Sequence, residues 1–183
     1  YNGSGADVNS AFITYSTNGP LGPWAEPQII FEWRTKKTGW NDLGRVFDLN
    51  GYADTTNNKY YLLYTGSKDG GSDPDTNGIG LALSTSGKYG TYSNLTIENP
   101  LWIASEDASV YDYIVEAPFF HRQITGTDTM WYLLADVGEP NEKIAYKTNT
   151  VLDSAGWVGG DTIAIYGDRS WMKWSIGQPS IIY

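Results

Sequence analysis

The sequence predicts an all-β fold, a β-propeller of four-stranded antiparallel blades, and three observations predict it. Strand-like runs dominate, and no stretch sustains a 3.6-residue periodicity. Two runs, Lys59–Ser67 (KYYLLYTGS) and Thr129–Val137 (TMWYLLADV), are near copies of each other. These copies belong to a longer repeat, in which strands of the same character return in the same order.

The first element is Ala11–Thr17, AFITYST. It matches later runs that follow the YxLL segments, so it reads as the third strand of an opening unit. Gly22-Pro23-Trp24 follows it. Arg45-Val46-Phe47-Asp48 then opens a complete unit. Lys59–Ser67 is its second strand, bounded by Asn57–Asn58 and by a Gly/Asp/Ser loop. Gly78–Thr85, GIGLALST, is its third, followed by Gly90-Thr91-Tyr92. The next unit repeats the order: Glu116-Ala117-Pro118-Phe119-Phe120, Thr129–Val137, Glu142–Thr148 and Gly156-Trp157. Gln178-Pro179-Ser180-Ile181-Ile182 begins another. Tyr61 matches Tyr132 at a separation of 71 residues, and Thr14, Ala82 and Ala145 match at separations of 68 and 63.

Each unit has about four strands over roughly 65 residues, longer than the roughly 40–45 of a WD40 blade. A four-stranded sheet cannot bury both faces alone, and stacking such sheets around an axis covers them and limits exposed edges. The expected division is 1–41 for the end of one blade, 42–112 for a second, 113–171 for a third and 172–183 for the start of a further one. In that register the first two strands of the opening blade lie upstream of Tyr1, and the chain is part of a longer parent. A β-sandwich has similar strand spacing and is the competing architecture.

Composition narrows the function classes. The chain has 183 residues, 12 Lys and Arg against 21 Asp and Glu, and a net charge of −9. No basic cluster supplies the counterion-releasing patch that nucleic acid requires. No apolar run approaches the roughly 20 residues of a membrane span. With no cysteine, disulfides, thiolate zinc sites and thiol nucleophiles are excluded. Aromatic residues make up 15%, with 8 Trp and 14 Tyr. That load suits strands, and it also suits a cleft where flat rings stack on the C–H faces of sugars. An acidic surface fits an extracellular or secreted protein handling neutral or weakly charged polymers.

Three features carry a family resemblance. One is the order YLLYTGS, then NGIGLALSTS. Another is Ser16-Thr17-Asn18-Gly19-Pro20-Leu21-Gly22-Pro23-Trp24. The third is Val115-Glu116-Ala117-Pro118, similar to an EGP motif. Together they resemble the five-bladed propeller glycosidases of glycoside hydrolase family 43 and its relatives, the family 32 and 68 fructan enzymes. The resemblance implies a five-bladed propeller, incomplete in this chain, that hydrolyses glycosidic bonds with paired carboxylates. One carboxylic acid protonates the leaving oxygen while a carboxylate activates water.

The resemblance puts the general acid at Glu116. Its neighbours Ile114, Val115, Pro118, Phe119 and Phe120 are apolar, and such surroundings favour a protonated carboxyl. The carboxylate that orients the acid is expected at Asp42, in Asp42-Leu43-Gly44-Arg45-Val46-Phe47, similar to the family's D-P-x-x-F with one extra residue and no Pro. Asp48 is the alternative. The family's general base belongs on the first strand of the first blade, upstream of residue 1, and Asp7 lies in a loop-like stretch that does not replace it.

Further residues are candidates for the sugar. Trp33 and Trp40 flank a polar loop just before Asp42 and are the expected stacking rings, while Trp131, inside a strand, is expected in the core. Trp102, Trp171 and Trp174 are lesser candidates. Arg45, Arg122 and His121, the one histidine, are candidates for substrate hydroxyls or carboxylates, against ion-pair, surface or packed roles. Asp73-Pro74-Asp75-Thr76-Asn77-Gly78 matches the opening of a calcium loop, but the twelfth position is Ser84 and not Glu. A structural calcium is therefore not favoured over a polar hairpin loop ending in an Asn-Gly turn, and no metal or cofactor is expected. Asn2-Gly3-Ser4 and Asn94-Leu95-Thr96 are glycosylation sequons.

The expected partner is a polysaccharide or oligosaccharide, with no nucleic acid and no membrane. The alternative function is a non-catalytic propeller that binds glycans or serves assembly, for example in a virion fibre or surface protein.

Overall fold

The computed structural model describes residues 10–33, 40–68, 76–104, 114–138, 143–152, 156–165 and 179. Among them the regular elements are eleven β-strands in three antiparallel sheets of two, five and four strands. The first sheet pairs β1 (Ser10–Ile13) with β2 (Gln28–Glu32). The middle sheet runs β3 (Phe47–Asp54), β4 (Lys59–Lys68), β5 (Thr76–Ser84), β6 (Ser93–Asn94), with β7 (Trp102–Ile103) also pairing β5. The third runs β8 (Val115–Thr125), β9 (Asp128–Val137), β10 (Lys143–Asn149), β11 (Val158–Ile165) in spatial as in sequence order.

The repeat in the sequence is a repeat of hairpins. Tyr61 pairs with Leu83 across β4 and β5, and Tyr132 pairs with Thr148 across β9 and β10. The first strand of each larger sheet, β3 or β8, is an edge strand. Each carries a bulge near its start, where the register shifts between Phe47 and Asn50 and between Glu116 and Phe119.

Burial explains why β4 and β5 read as continuous apolar runs. Tyr61, Leu63, Ile79 and Leu81 pack with Val115, Phe120, Leu133 and Ala135 of the third sheet. From the other face, Leu62, Tyr64 and Ala82 pack with Ala11, Ile30 and Phe31 of the first sheet. A sheet covered on both faces loses the polar alternation of a half-wet one. Each Leu or Ile so buried contributes about 1.5–3 kcal/mol.

The middle sheet needs glycine at one point of close approach. A Cβ on Gly80 would collide with the ring of Tyr64. The Tyr64 ring fills that gap, and its hydroxyl reaches Asn94 Oδ1 at 3.2 Å. Burial pushes the Tyr64 phenol well above its ordinary pKa, so it stays a neutral donor.

Candidate functional site

The middle and third sheets meet along their first strands, and the acidic residues gather there. β3 brings Asp48 and β8 brings Glu116. Their bulges are built alike. Phe47 pairs with Thr65 and Glu116 pairs with Asp136, so Asp48 and Ala117 are the corresponding next residues. Both take left-handed backbone, with φ of 48° and 51°. Aspartate tolerates that region, whereas alanine there costs roughly 1–2 kcal/mol. Ala117 stands where the EGP resemblance has glycine, the residue that region favours. Pro118 has no N–H to give a ladder, and it lies in the bulge of an edge strand, a position where proline is admitted.

Thr65 ties the two bulges together. Its hydroxyl accepts the Ala117 N–H at 3.2 Å and donates to Asp48 Oδ2 at 3.4 Å. Burial holds the Asp48 carboxyl above its ordinary value of 3.8, and hydrogen bonds from the Ala117 N–H and the Thr65 hydroxyl offset part of that rise. A concavity of about 400 Å³ opens beside these groups, lined by Asp48, Asn50, Ala117, Pro118, Phe119 and Pro179 among others.

Glu116 is half-buried and is not part of that lining. Its Oε2 accepts a hydrogen bond from Asn77 Nδ2 at 3.0 Å. Asn77 Oδ1 in turn accepts from the Ser67 hydroxyl at 2.7 Å. The Ser67 amide donates to Asn41 Oδ1 at 3.0 Å, and Asn41, wholly buried, also holds the Arg45 amide and carbonyl. A polar chain thus runs from the interior of the middle sheet to the Glu116 carboxyl.

The candidates separate against this geometry. Asp42 is in the turn that ends with Leu43, ahead of β3, and the carboxylate beside Ala117 is that of Asp48, the alternative. Trp33 and Trp40 are corrected: both are only 4% exposed, with rings 6.1 Å apart in an edge-on pair, and pack with Tyr64 in the core. Both indoles share one buried cluster with Phe31 of the first sheet and with Leu62 and Ala82 of the middle sheet. Trp40 Nε1 is satisfied by the Thr96 carbonyl. Trp102 and Trp131 are likewise buried, as Trp131 was expected to be. Trp171, Trp174 and Asp7 lie outside the described residues.

Arg45 is exposed, and its main chain closes the Asn41 loop. Arg122 lays its guanidinium over the Trp131 ring at 5.5 Å, a cation–π contact. His121 faces Tyr132 with ring centroids 5.7 Å apart. His121 is five residues beyond Glu116, about 15 Å along a strand. His121 and Arg122 therefore belong to another part of β8 than the bulge.

The expected Asn-Gly turn is also corrected. Asn77 and Gly78 are ladder residues of β5, paired with Ser67 and Gly66. A Cβ on Gly78 would come within 2.8 Å of the Trp102 carbonyl oxygen, so glycine there serves close packing and not a turn. Residues 73–75 of the proposed calcium loop lie outside the described residues. Among the described residues no group of acidic or histidine side chains is placed to hold a metal. In the sequon at Asn94, Nδ2, the atom that would carry a glycan, is buried.

Sequence reasoning missed Thr65, Ser67 and Asn77. One signal was available: polar residues within a run that is otherwise buried on both faces require partners. The chain matches no family model and no curated protein.

Proposed function

We propose that this chain is part of a carbohydrate-active propeller that hydrolyses glycosidic bonds in a polysaccharide, with Glu116 as general acid and Asp48 as the second carboxyl. The radial arrangement is part of the proposal. What supports it is a middle sheet whose strands β4 and β5 pack on one face against the preceding sheet and on the other against the following sheet, with β3 against β8.

The observation that carries the functional reading is the Thr65 bridge, which sets Asp48 against the residue next to Glu116. Acidic groups on abutting strands are what acid-assisted glycoside cleavage needs. The acid gives its proton to the leaving oxygen, and a nearby acidic group disfavours its early ionisation. The desolvated Asp48 is suited to that supporting role, and its concavity is of a size for one or two sugar rings. The water-activating base belongs to a third carboxylate beyond these two sheets.

Sugar release from a panel of neutral polysaccharides, compared between the protein and Glu116→Gln, tests the reading. A fall of roughly 10²–10⁴-fold in the variant is expected. Undiminished release by Glu116→Gln would exclude Glu116 as the acid. Glycan binding with no release by the unmodified protein would favour a recognition module instead.

A further inference from the structure

We propose that Asn77 is a positioning residue for Glu116, fixing which carboxyl oxygen carries the transferable proton. The proposal rests on the reading of Glu116 as proton donor. The side-chain amide of Asn77 is engaged at both ends, accepting from the Ser67 hydroxyl at 2.7 Å and donating to Glu116 Oε2 at 3.0 Å. An amide N–H only donates. With its oxygen taken by Ser67, Asn77 presents only that N–H to the carboxyl. Glu116 Oε2 must then be an acceptor, and the acid proton resides on Oε1.

The arrangement is held from the interior. Ser67 is fully buried on β4, and its amide is bound by the fully buried Asn41. Asn77 is on β5, paired with Ser67 across the ladder. Groups on central strands are located more closely than groups on loops. In the cleavage step, the O–H bond at Oε1 breaks and its electron pair stays on the carboxylate. The proton bonds to the glycosidic oxygen, which leaves with the pair of the broken C–O bond, while water supplies the pair that the sugar carbon loses and gives its own proton to the carboxylate base. The Asn77 N–H then stabilises the carboxylate that has formed, as a donor to a charged acceptor.

The test is a titration of the Glu116 side-chain carboxyl in the intact chain, followed by carbon-13 NMR and assigned by the signal lost in Glu116→Gln. Asn77→Leu removes the donor and is expected to move the midpoint upward by about one unit. Asn77→Asp, which puts a like charge there, is expected to move it further. Ser67→Ala leaves Asn77 in place but frees its amide to turn, and is expected to move it upward by less. Thermal melts verify that each variant is folded. An unmoved midpoint in the folded Asn77 variants overturns the proposal, and should they not fold, an unmoved midpoint in Ser67→Ala does so. Sugar release by the unmodified protein with unmoved midpoints would sink the positioning role alone. The expected shifts with no sugar release would sink the hydrolytic reading and leave Asn77 only as a hydrogen-bond donor that sets the Glu116 titration.

Discussion

Asp48 and Ala117 hold the same place in successive sheets, each the first left-handed residue of a bulge, and one hydroxyl, that of Thr65, serves both. The site therefore grows from a repeated backbone device carrying different side chains. Where one sheet places a carboxyl at the bulge, the next places a methyl group and moves its carboxyl one residue back, to Glu116. The offset gives the two carboxyls different partners: Asp48 meets Thr65, and Glu116 meets Asn77.

Asp48→Asn tests the cost of that arrangement. Burial raises the native-state value of Asp48 above the unfolded value near 3.8. Between those two values the folded chain keeps a proton that the unfolded chain releases, so this group's contribution to stability falls as pH rises through the window. The carboxamide oxygen introduced by the substitution would still accept from the Thr65 hydroxyl and the Ala117 N–H. The variant is expected to gain in melting temperature relative to the parent on going from pH 3.5 to pH 7, while sugar release falls. An equal difference in melting temperature at both pH values would contradict the raised value.

Ala117→Gly tests the backbone. Relief of left-handed strain outweighs the chain entropy of glycine by roughly 0.5–1 kcal/mol. The expected result is a higher urea midpoint with an unchanged slope. A lower midpoint would mean that the alanine methyl contributes packing worth more than its strain.

Trp40→Ala tests the corrected role of the rings. Loss of a buried indole is expected to destabilise by about 3–5 kcal/mol in urea unfolding. A surface stacking ring would lower glycan affinity and leave stability nearly unchanged. The two outcomes are separated by measuring both quantities on one preparation.

Much of the strand order was legible because the signals were local. The runs around Tyr61 and Tyr132 are short, apolar and rich in aromatic residues, which marks them as strands, and their spacing marks the repeat. The Trp33 and Trp40 placement was not legible, because a ring beside a polar loop looks the same in sequence whether it turns outward or folds under. Asn77 was misread for a related reason. An Asn-Gly pair after a polar run signals a hairpin turn, and only the tertiary contact of Gly78 with Trp102 shows why the glycine is there. The position of Asp48 beside Ala117 depends on the bulge, a register fact that no local spacing encodes.

Strands β4 and β5 are packed on both faces, and that makes them the least forgiving of the described strands. A substitution at Gly80 or Leu63 must be accommodated by neighbours on fixed sides, whereas Phe12 or Ile29, open to solvent, can change with little consequence. Random mutagenesis scored for folding should thus return a map banded by strand, with intolerance concentrated on β4 and β5 and freedom toward the outer sheets. Natural variation in such proteins would drift in the same pattern, keeping the inner hairpin while its flanks diverge.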